Sequence, residues 1–272
     1  MHVMHTPPDS SLPAIDRLRK IVNILRSPGG CPWDIEQTQQ SLIPNVLEEA
    51  YEAADAIRSG NIEHMREELG DLLLQVVMQC EIASETGKFV MEDVAHDVSE
   101  KLVRRHPHVF GDSKADDSEA VLKQWEKIKE SEKGDAQGRL LDGLPGGLPS
   151  LMKAGKIQKK VEKVGFDWPS AEAVIPKIRE EIDEVEEVLR KGNPGADDAA
   201  LGEELGDVLF AVTNLARKLG MESETLLAAA NEKFIRRFDE LENLLEEQGT
   251  NAEQAEIAEM EIAWEKAKAQ VG

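Results

Sequence analysis

The sequence has few cysteines, few aromatic residues and no long apolar run. Only Cys31 and Cys80 are cysteines among its 272 residues, and aromatic residues make up 4%. Two isolated cysteines support neither a disulfide framework nor a thiolate zinc site, and they are typical of the reducing cytosol. No stretch approaches the roughly 18 apolar residues of a membrane span, and the N-terminus has no signal-peptide run. The sequence therefore predicts a soluble, cytoplasmic protein without a membrane partner.

Basic residues are also scarce. Lysine and arginine number 32 against 54 aspartates and glutamates, which gives a formal net charge of −22. This charge argues against a nucleic-acid duplex as the main partner. An anionic substrate would need a metal ion or a local basic group to offset the repulsion.

The abundant acids form one pattern twice, EExxE followed by EELGD. Residues three apart in a helix lie on one face, so each copy places two carboxylate pairs on two neighbouring helices. Facing carboxylates repel one another unless a cation lies between them. A single EExxE is usually only a solvated helix face, but its duplication together with EELGD favours a site. The pairs are Glu49 with Glu52 and Glu68 with Asp71 in the first copy, and Glu181 with Glu184 and Glu204 with Asp207 in the second.

The repeat extends beyond the acidic motifs. The two EExxE motifs, which begin at positions 48 and 180, have the same separation as the two KxxRR motifs at Lys101 and Lys233 (180 − 48 = 233 − 101). The two EELGD motifs, which end at Asp71 and Asp207, are slightly further apart, as are Trp125 and Trp264. The chain is therefore predicted to be a tandem duplication of one module.

The hydrophobic periodicity predicts helices and no strand, so the predicted fold class is all-α. Residues 31–34 are predicted to form a compact turn, and the helix over 62–85 is apolar nearly all round, which predicts burial on more than one side. The other predicted helices cover residues 13–25, 41–58, 91–105, a segment around Trp125, 148–164, 170–191, 198–219, 223–246 and 252–269. The predicted organisation is a disordered tail (1–12), a first module (13–132), a linker (133–147) and a second module (148–272).

The donor types narrow the choice of metal. All six histidines and both cysteines lie in the first module or the tail, so the second module offers only oxygen ligands. This excludes a di-iron bundle, which uses paired ExxH motifs. An EF-hand is excluded as well, because it keeps its ligands in a loop rather than on helices. Oxygen ligands select hard cations. The sequence predicts Mg²⁺, with Mn²⁺ as the alternative.

The basic residues of the second module suggest a phosphate site. Lys233, Arg236 and Arg237 are spaced i, i+3 and i+4, which suits a fork around phosphate oxygens. Trp264 or Trp168 could stack on a base. The structural alternatives are a charge cluster that complements a helix dipole and tryptophans that only pack in a core or interface.

The residues Cys31-Pro-Trp-Asp34, the two acidic motifs, the run Arg104–Phe110 and the run Asn231–Phe234 together closely resemble the MazG family of nucleoside triphosphate pyrophosphohydrolases, over about residues 13–270. The resemblance implies the all-α NTP pyrophosphatase fold, with four-helix sites completed by dimerisation into a homodimer. It also implies magnesium-dependent hydrolysis of a nucleoside triphosphate to the monophosphate and pyrophosphate.

The resemblance implies a role for each matching position. The metal ligands are the eight carboxylates of the pairs named above, and Lys233 and Arg237 hold the triphosphate with Trp264 near the nucleotide. Asn231 occupies the sequence position that Ser99 has in the first module, and its amide suggests that the second module is the better catalyst. The residues that orient water or act as general base are Glu48, Glu67, Glu180 and Glu203.

Two functions from different classes remain open. The leading one is a broad-specificity enzyme that cleans the nucleotide pool. The alternative is a non-catalytic helical dimerisation or regulatory module whose acids bind a structural cation.

Overall fold

The computed structural model describes residues 5–132, 138–191 and 199–271, and within these ranges the chain contains helices and no strand. The all-α prediction is confirmed. None of the helices in the described ranges has the length and apolar character needed to cross a bilayer. In chain order they are α1 Ala14–Arg26, α2 Pro32–Glu36, α3 Ile43–Ser59, α4 Ile62–Glu85, α5 Met91–Arg105, α6 Pro107–Phe110, α7 Ser118–Glu132, α8 Ser150–Glu162, α9 Ala171–Lys191, α10 Ala199–Lys218, α11 Ser223–Glu247 and α12 Ile257–Val271.

The chain divides into two compact units, Met1–Asp135 and Ala136–Gly272. The division falls inside the predicted linker 133–147, of which residues 133–137 lie outside the described part of the chain. Residues 1–4 of the predicted tail are also outside it. The domain boundaries therefore stay a prediction.

The first unit is built on the helical hairpin of α3 and α4. Gly60 ends α3 with φ of 70°, a conformation that costs glycine little. The side-chain oxygen of Asn61 then accepts hydrogen bonds from the backbone N–H groups of Glu63 and His64 and starts α4. The hairpin packs on α1, and the core consists of Val22, Leu42, Val77, Met78 and Ile82.

The turn at Gly60 explains why the two acidic motifs of the first module meet. Glu49 lies eleven residues before Gly60 and Asp71 eleven residues after it, while Glu52 and Glu68 are each eight residues away. Positions equally far from the turn of an antiparallel hairpin lie side by side. The hairpin therefore brings EExxE of α3 next to EELGD of α4.

The second unit repeats the hairpin with α9 and α10, which pack closely together, and α8 packs on α10. A second hairpin joins α11 to α12 after a turn at Gly249, where φ is 79°. Leu241, Leu245, Ala263 and Ala267 form its buried core.

Two predicted boundaries were wrong. The helix predicted from residue 252 begins at Ile257, because Asn251 accepts hydrogen bonds from the backbone N–H groups of Glu253 and Gln254 and holds a turn there. The predicted turn at residues 31–34 is instead the short helix α2, which Pro32 can start because its missing N–H has no partner in a first helical turn.

The predicted burial of α4 on more than one side is confirmed for the second half of the helix, where Gln75, Val77 and Cys80 point in different directions and are all buried. Leu69, Leu73 and Val76, on one side beside and after EELGD, are nevertheless 45%, 40% and 40% exposed. The residues of α10 at the equivalent places relative to EELGD are exposed too: Leu205, Leu209 and Val212. We call these two triplets the apolar stripes. In the part of the chain that the structure describes, each module thus leaves one apolar stripe beside its acidic motifs about half exposed.

Candidate active site

Three carboxylates of the first module form a cluster. Glu49 of α3 and Glu68 and Asp71 of α4 each offer an oxygen, and these oxygens lie within 4.8 Å of one another. Glu68 is buried and the other two are half-buried. Glu52 adjoins the cluster through a hydrogen bond with Glu68. The structure thus brings together all four predicted metal ligands of this module.

The electrostatics of this cluster show a shortage of positive charge. Burial, followed by the charges of Asp71, Glu52 and Glu68, raises the pKa of Glu49. Burial and the neighbouring Glu68 also raise the pKa of Glu52. The contact beside these acids is with a histidine, because Nε2 of His64 lies 3.0 Å from an oxygen of Glu68 one turn further along α4. A bound cation would remove the repulsion.

The second module carries an equivalent cluster. Oxygens of Glu181, Glu204 and Asp207 lie within 4.8 Å of one another, and Glu184 joins them through a hydrogen bond with Glu181. That hydrogen bond, together with burial, raises the pKa of Glu184. The buried member is Glu181 on α9, whereas Asp207 on α10 is exposed.

A lysine of its own chain sits at this second cluster. Nζ of Lys177 lies 2.8 Å from an oxygen of Glu181 and 2.9 Å from one of Glu180. The hydrogen bond from Lys177 lowers the pKa of Glu181, and the two carboxylates raise the pKa of the lysine. The second cluster is therefore partly neutralised from within.

The donor sets fit a small hard cation. Ligands of octahedral Mg²⁺ at about 2.1 Å from the metal are roughly 3 to 4 Å apart. Each module presents three carboxylate oxygens at mutual distances that admit such a geometry. Among the described residues both clusters use oxygen donors on helices, and only the first has a histidine at its edge.

The predicted general bases lie beside the clusters on the solvent side. Glu180 is held by Lys177. Glu48, Glu67 and Glu203 are exposed, and within the described residues none of the three forms an ion pair. These side chains are free to reach a water molecule or a substrate.

The family of the chain follows from its similarity to known proteins. Residues 37–110 and 169–241 each match the MazG nucleotide pyrophosphohydrolase domain. The two matched segments contain the two acid clusters. The chain belongs to the MazG family.

The MazG relatives are similar over nearly the whole chain. An Escherichia coli K12 protein named nucleoside triphosphate pyrophosphohydrolase is 48% identical over 258 residues, which cover 94% of this chain and 97% of that protein. A Thermotoga maritima protein named nucleoside triphosphate pyrophosphohydrolase/pyrophosphatase MazG is 44% identical, covering 93% and 95%. The uncharacterized YabN of Bacillus subtilis is 43% identical over 92% of this chain but only 50% of its own length.

Within the described residues, the basic group Lys233, Arg236 and Arg237 of α11 has no acidic partner, because none of these three side chains forms an ion pair. Lys233 and Arg236 are exposed, as is Asn231. Nε of Arg237 is buried and has no hydrogen-bond partner. No described hydrogen bond or ion pair joins this group to the acid cluster of its own module. An anion is the natural partner for these donors.

The equivalent arginines of the first MazG module are occupied. Nε of Arg104 donates to Glu132 at 2.6 Å, and Nη2 of Arg105 donates to the other oxygen of Glu132 at 2.5 Å. The hydrogen bonds from Arg105 and then Arg104 hold the pKa of Glu132 at about 2. Trp125 lies alongside, with its ring centroid 5.7 Å from the Arg105 guanidinium carbon and 4.7 Å from Nζ of Lys129.

The two tryptophans predicted to stack on a base differ in their surroundings. Trp264 packs on Phe234, with 5.1 Å between ring centroids, and touches the core of the α11 and α12 hairpin. This contact favours the structural alternative for Trp264. Trp168 instead lines a cavity of about 270 Å³ together with Phe166 and Asp167.

Asp167 anchors the cavity wall to α10. Its carboxylate accepts hydrogen bonds from Arg217 at 2.6 Å and from Asn214 at 3.3 Å, and it forms an ion pair with Lys218. Burial raises the pKa of Asp167, but the bonds from Lys218, Arg217 and Asn214 outweigh it and hold the pKa at about 2. Phe166 and Trp168 supply the aromatic part of the cavity lining.

Sequence reasoning missed three of these residues. Lys177 was readable, because it precedes Glu181 by four residues on the same helix face. Asp167 follows a glycine-containing turn and gave no signal of its partners on α10. Glu132 is the last residue of α7 and belongs to no motif, so nothing in the sequence connects it with Arg104 and Arg105.

Proposed function

We propose that this protein hydrolyses nucleoside triphosphates to the monophosphate and pyrophosphate with a divalent metal ion. The observation that carries the proposal is the duplicated cluster of three carboxylates in a chain that belongs to the MazG family. The names of the Escherichia coli and Thermotoga maritima relatives support the same activity. An unpaired basic group on α11 supplies the means to hold a polyanion despite the acidic composition.

We assign the metal to Glu181, Glu204 and Asp207, with Glu184 at the edge, and to the equivalent carboxylates of the first module. When bound, Mg²⁺ supplies charge neutralisation of the phosphates and activation of water. The oxygen-only donor set supports Mg²⁺, with Mn²⁺ as the alternative.

The protein's own residues have separate tasks in this proposal. Lys233 and Arg237 hold phosphate oxygens through charge-assisted hydrogen bonds, with Arg236 and Asn231 beside them. Glu203 orients the attacking water and accepts its proton. Lys177 loses its place on Glu181 when a cation binds there, and its ammonium group can then turn to a phosphate oxygen of the substrate.

We infer that the second module is the main catalyst. Its basic group is unpaired within the described residues, whereas Arg104 and Arg105 of the first module are bound to Glu132. A guanidinium that already carries a carboxylate has fewer donors left for phosphate. The amide of Asn231, which replaces the hydroxyl of Ser99 in the first module, also supports the second module as the main catalyst.

We propose broad base specificity, and the cavity at Trp168 supports it. The carboxylate of Asp167 already accepts hydrogen bonds from Arg217 and Asn214. The aromatic side chains of the lining would then make the contact with the base, and aromatic rings stack on any base. Asn214 lies seven residues beyond Asp207, about 10 Å along α10. This separation suits a nucleotide with its phosphates at the cluster and its base at the cavity. Breadth of this kind is useful in clearing altered nucleotides from the cytoplasmic pool.

We propose that a second copy of the chain covers the apolar stripes, giving a homodimer. The stripes run beside the acid clusters on α4 and α10, and both hold the same places relative to EELGD. A surface that carries the same patch in each copy is suited to a two-fold interface. Covering them would complete a four-helix arrangement around each site.

The test is pyrophosphate release from the four standard and several modified nucleoside triphosphates, with Mg²⁺ and after its removal by EDTA. We expect release that requires the metal. Glu181→Ala should lower the rate about a hundredfold, the size of effect seen when one electrostatic contact to a transition state is lost. Glu49→Ala should lower it much less.

Glu186→Ala provides the control, because this exposed glutamate of α9 pairs with Arg190 and belongs to neither acidic motif. A larger loss from Glu49→Ala than from Glu181→Ala would contradict the assignment of the second module. Release of pyrophosphate from none of the nucleotides would favour the non-catalytic dimerisation module.

A further inference from the structure

The last residue of α7 occupies the arginine pair of the first module. Both oxygens of Glu132 are used, one by Arg104 and one by Arg105, at 2.6 and 2.5 Å. The Glu132 side chain is 21% exposed, that of Arg105 18% and that of Arg104 55%. The contact joins the ends of α5 and α7, with its Arg105 side partly buried and its Arg104 side open to solvent.

The second module has no equivalent acid. Trp264 of the second module corresponds to Trp125 of the first. The same separation in sequence makes Val271 the residue that corresponds to Glu132 (264 − 125 = 271 − 132). Valine cannot accept a hydrogen bond through its side chain. Arg236 and Arg237 accordingly form no ion pair within the described residues, and Nε of Arg237 has no partner.

Carboxylate and phosphate compete for the same donors. Both present two oxygens to guanidinium N–H groups in a fork geometry, and charge-assisted bonds of this kind are the strong ones. A side chain that is already in place acts at a high local concentration. A phosphate can therefore use the N–H groups that Glu132 holds, Nε of Arg104 and Nε and Nη2 of Arg105, only in the fraction of molecules in which Glu132 has moved away.

We propose that Glu132 is a built-in substitute for phosphate, and that it directs triphosphate binding to the second module by closing the arginine pair of the first. The arginine pair is thus a second anion site that the chain keeps occupied by its own carboxylate. This inference rests on the proposed function, because it names the residue that makes the two modules unequal.

The test uses the full chain with the basic group of the second module removed by Lys233→Ala and Arg237→Ala. The probe is an ATP analogue with a methylene group between the α and β phosphorus atoms, titrated calorimetrically in the presence of Mg²⁺. Adding Glu132→Gln to this background should tighten binding about tenfold. Adding Arg104→Ala and Arg105→Ala as well should remove the gain.

The matched control is Glu119→Gln, which removes an exposed ion pair with Lys123 from the same helix and should leave binding unchanged. Unchanged affinity after Glu132→Gln, or a gain that persists without the arginines, would overturn the inference. Wild-type protein that releases no pyrophosphate would instead contradict the proposed function, and the analogue titration would still decide the role of Glu132.

Discussion

Nζ of Lys177 lies 2.8 Å from a carboxylate oxygen of Glu181, one turn further along α9. Glu181 is the buried member of the second acid cluster. The ammonium group of Lys177 and a metal ion would therefore compete for the same carboxylate. The first module has Asn45 at the equivalent position, because Asn45 precedes Glu49 as Lys177 precedes Glu181. A metal ion that binds the second cluster would therefore have to displace this internal cation, whereas the first cluster has no lysine at the equivalent position.

Lys177→Met should raise the affinity of the second cluster for Mn²⁺ in the absence of nucleotide, severalfold in the dissociation constant. The physical reason is that the lysine no longer competes for Glu181. The same variant should weaken nucleotide binding, because the proposed phosphate contact is lost. Electron paramagnetic resonance of free Mn²⁺ and the KM for nucleotide measure the two effects.

Asn45→Met is the matched control, since it changes the equivalent residue of the first module without removing a charge. Its Mn²⁺ affinity should equal that of the wild type. Weaker Mn²⁺ binding after Lys177→Met would show that the lysine supports the cluster rather than competing with the ion.

Gly206→Ala should impair function and Gly202→Ala should not, although both glycines lie in α10. A Cβ at either position meets nothing within 4 Å in this chain. Each substitution should therefore stabilise the helix by about 1 kcal/mol. Gly206 belongs to EELGD beside the exposed Leu205, where we expect the partner copy to approach closely, so Gly206→Ala should lower activity and dimer affinity.

Urea unfolding, sedimentation velocity and pyrophosphate release measure these three quantities for both variants. Gly202 is not a glycine in the first module, where Arg66 occupies the equivalent position. Gly202→Ala should therefore leave activity and dimer affinity intact. Full activity and unaltered dimerisation in Gly206→Ala would refute a close approach at EELGD.

Leu209→Glu should convert the proposed dimer into monomers. Leu209 is 56% exposed in the single chain and lies in the middle of the apolar stripe of α10, so a charge there would be buried without a partner in the interface. Sedimentation equilibrium measures the mass. Leu122→Glu, at a 58% exposed leucine of α7 outside the stripes, is the comparison, and a wild-type mass of one chain would dismiss the homodimer.

Asp167 should contribute stability that depends on pH. Its pKa is about 2 in the folded chain against an ordinary value of 3.8, so its contribution is complete above about pH 4 and disappears as the pH falls towards 2. A shift of this size corresponds to about 2 kcal/mol, at 1.4 kcal/mol per pKa unit. Asp167→Asn should lose that amount at pH 7 in urea unfolding.

The loss should shrink between pH 4 and pH 2, where the wild-type carboxylate becomes protonated. Asp239→Asn changes an exposed aspartate of α11 and should show neither effect. A difference between wild type and Asp167→Asn that stays constant down to pH 2 would mean that the ion pairs with Arg217 and Lys218 contribute little.

Most helices and both acid clusters were predictable from local sequence. The period of the apolar residues and the glycines at helix ends indicated α3 and α4, because helix geometry and helix stops are properties of adjacent residues. The pairing of Glu49 with Asp71 follows from their equal distance to the turn at Gly60. The turn that delays α12 was missed, because a single Asn251 side chain outweighed the helix preference of the residues after it.

The sequence by itself determined the all-helical modules, their duplication and the types of ligand in each cluster. Only the tertiary structure decided which charges meet across helices. Glu132 reaches Arg104 and Arg105 from positions 28 and 27 residues further along the chain, and Asp167 reaches Arg217 across 50 residues. Such contacts depend on how helices pack, which periodicity within one helix does not specify. The unequal treatment of two similar arginine pairs is accordingly visible in the fold and absent from the motifs.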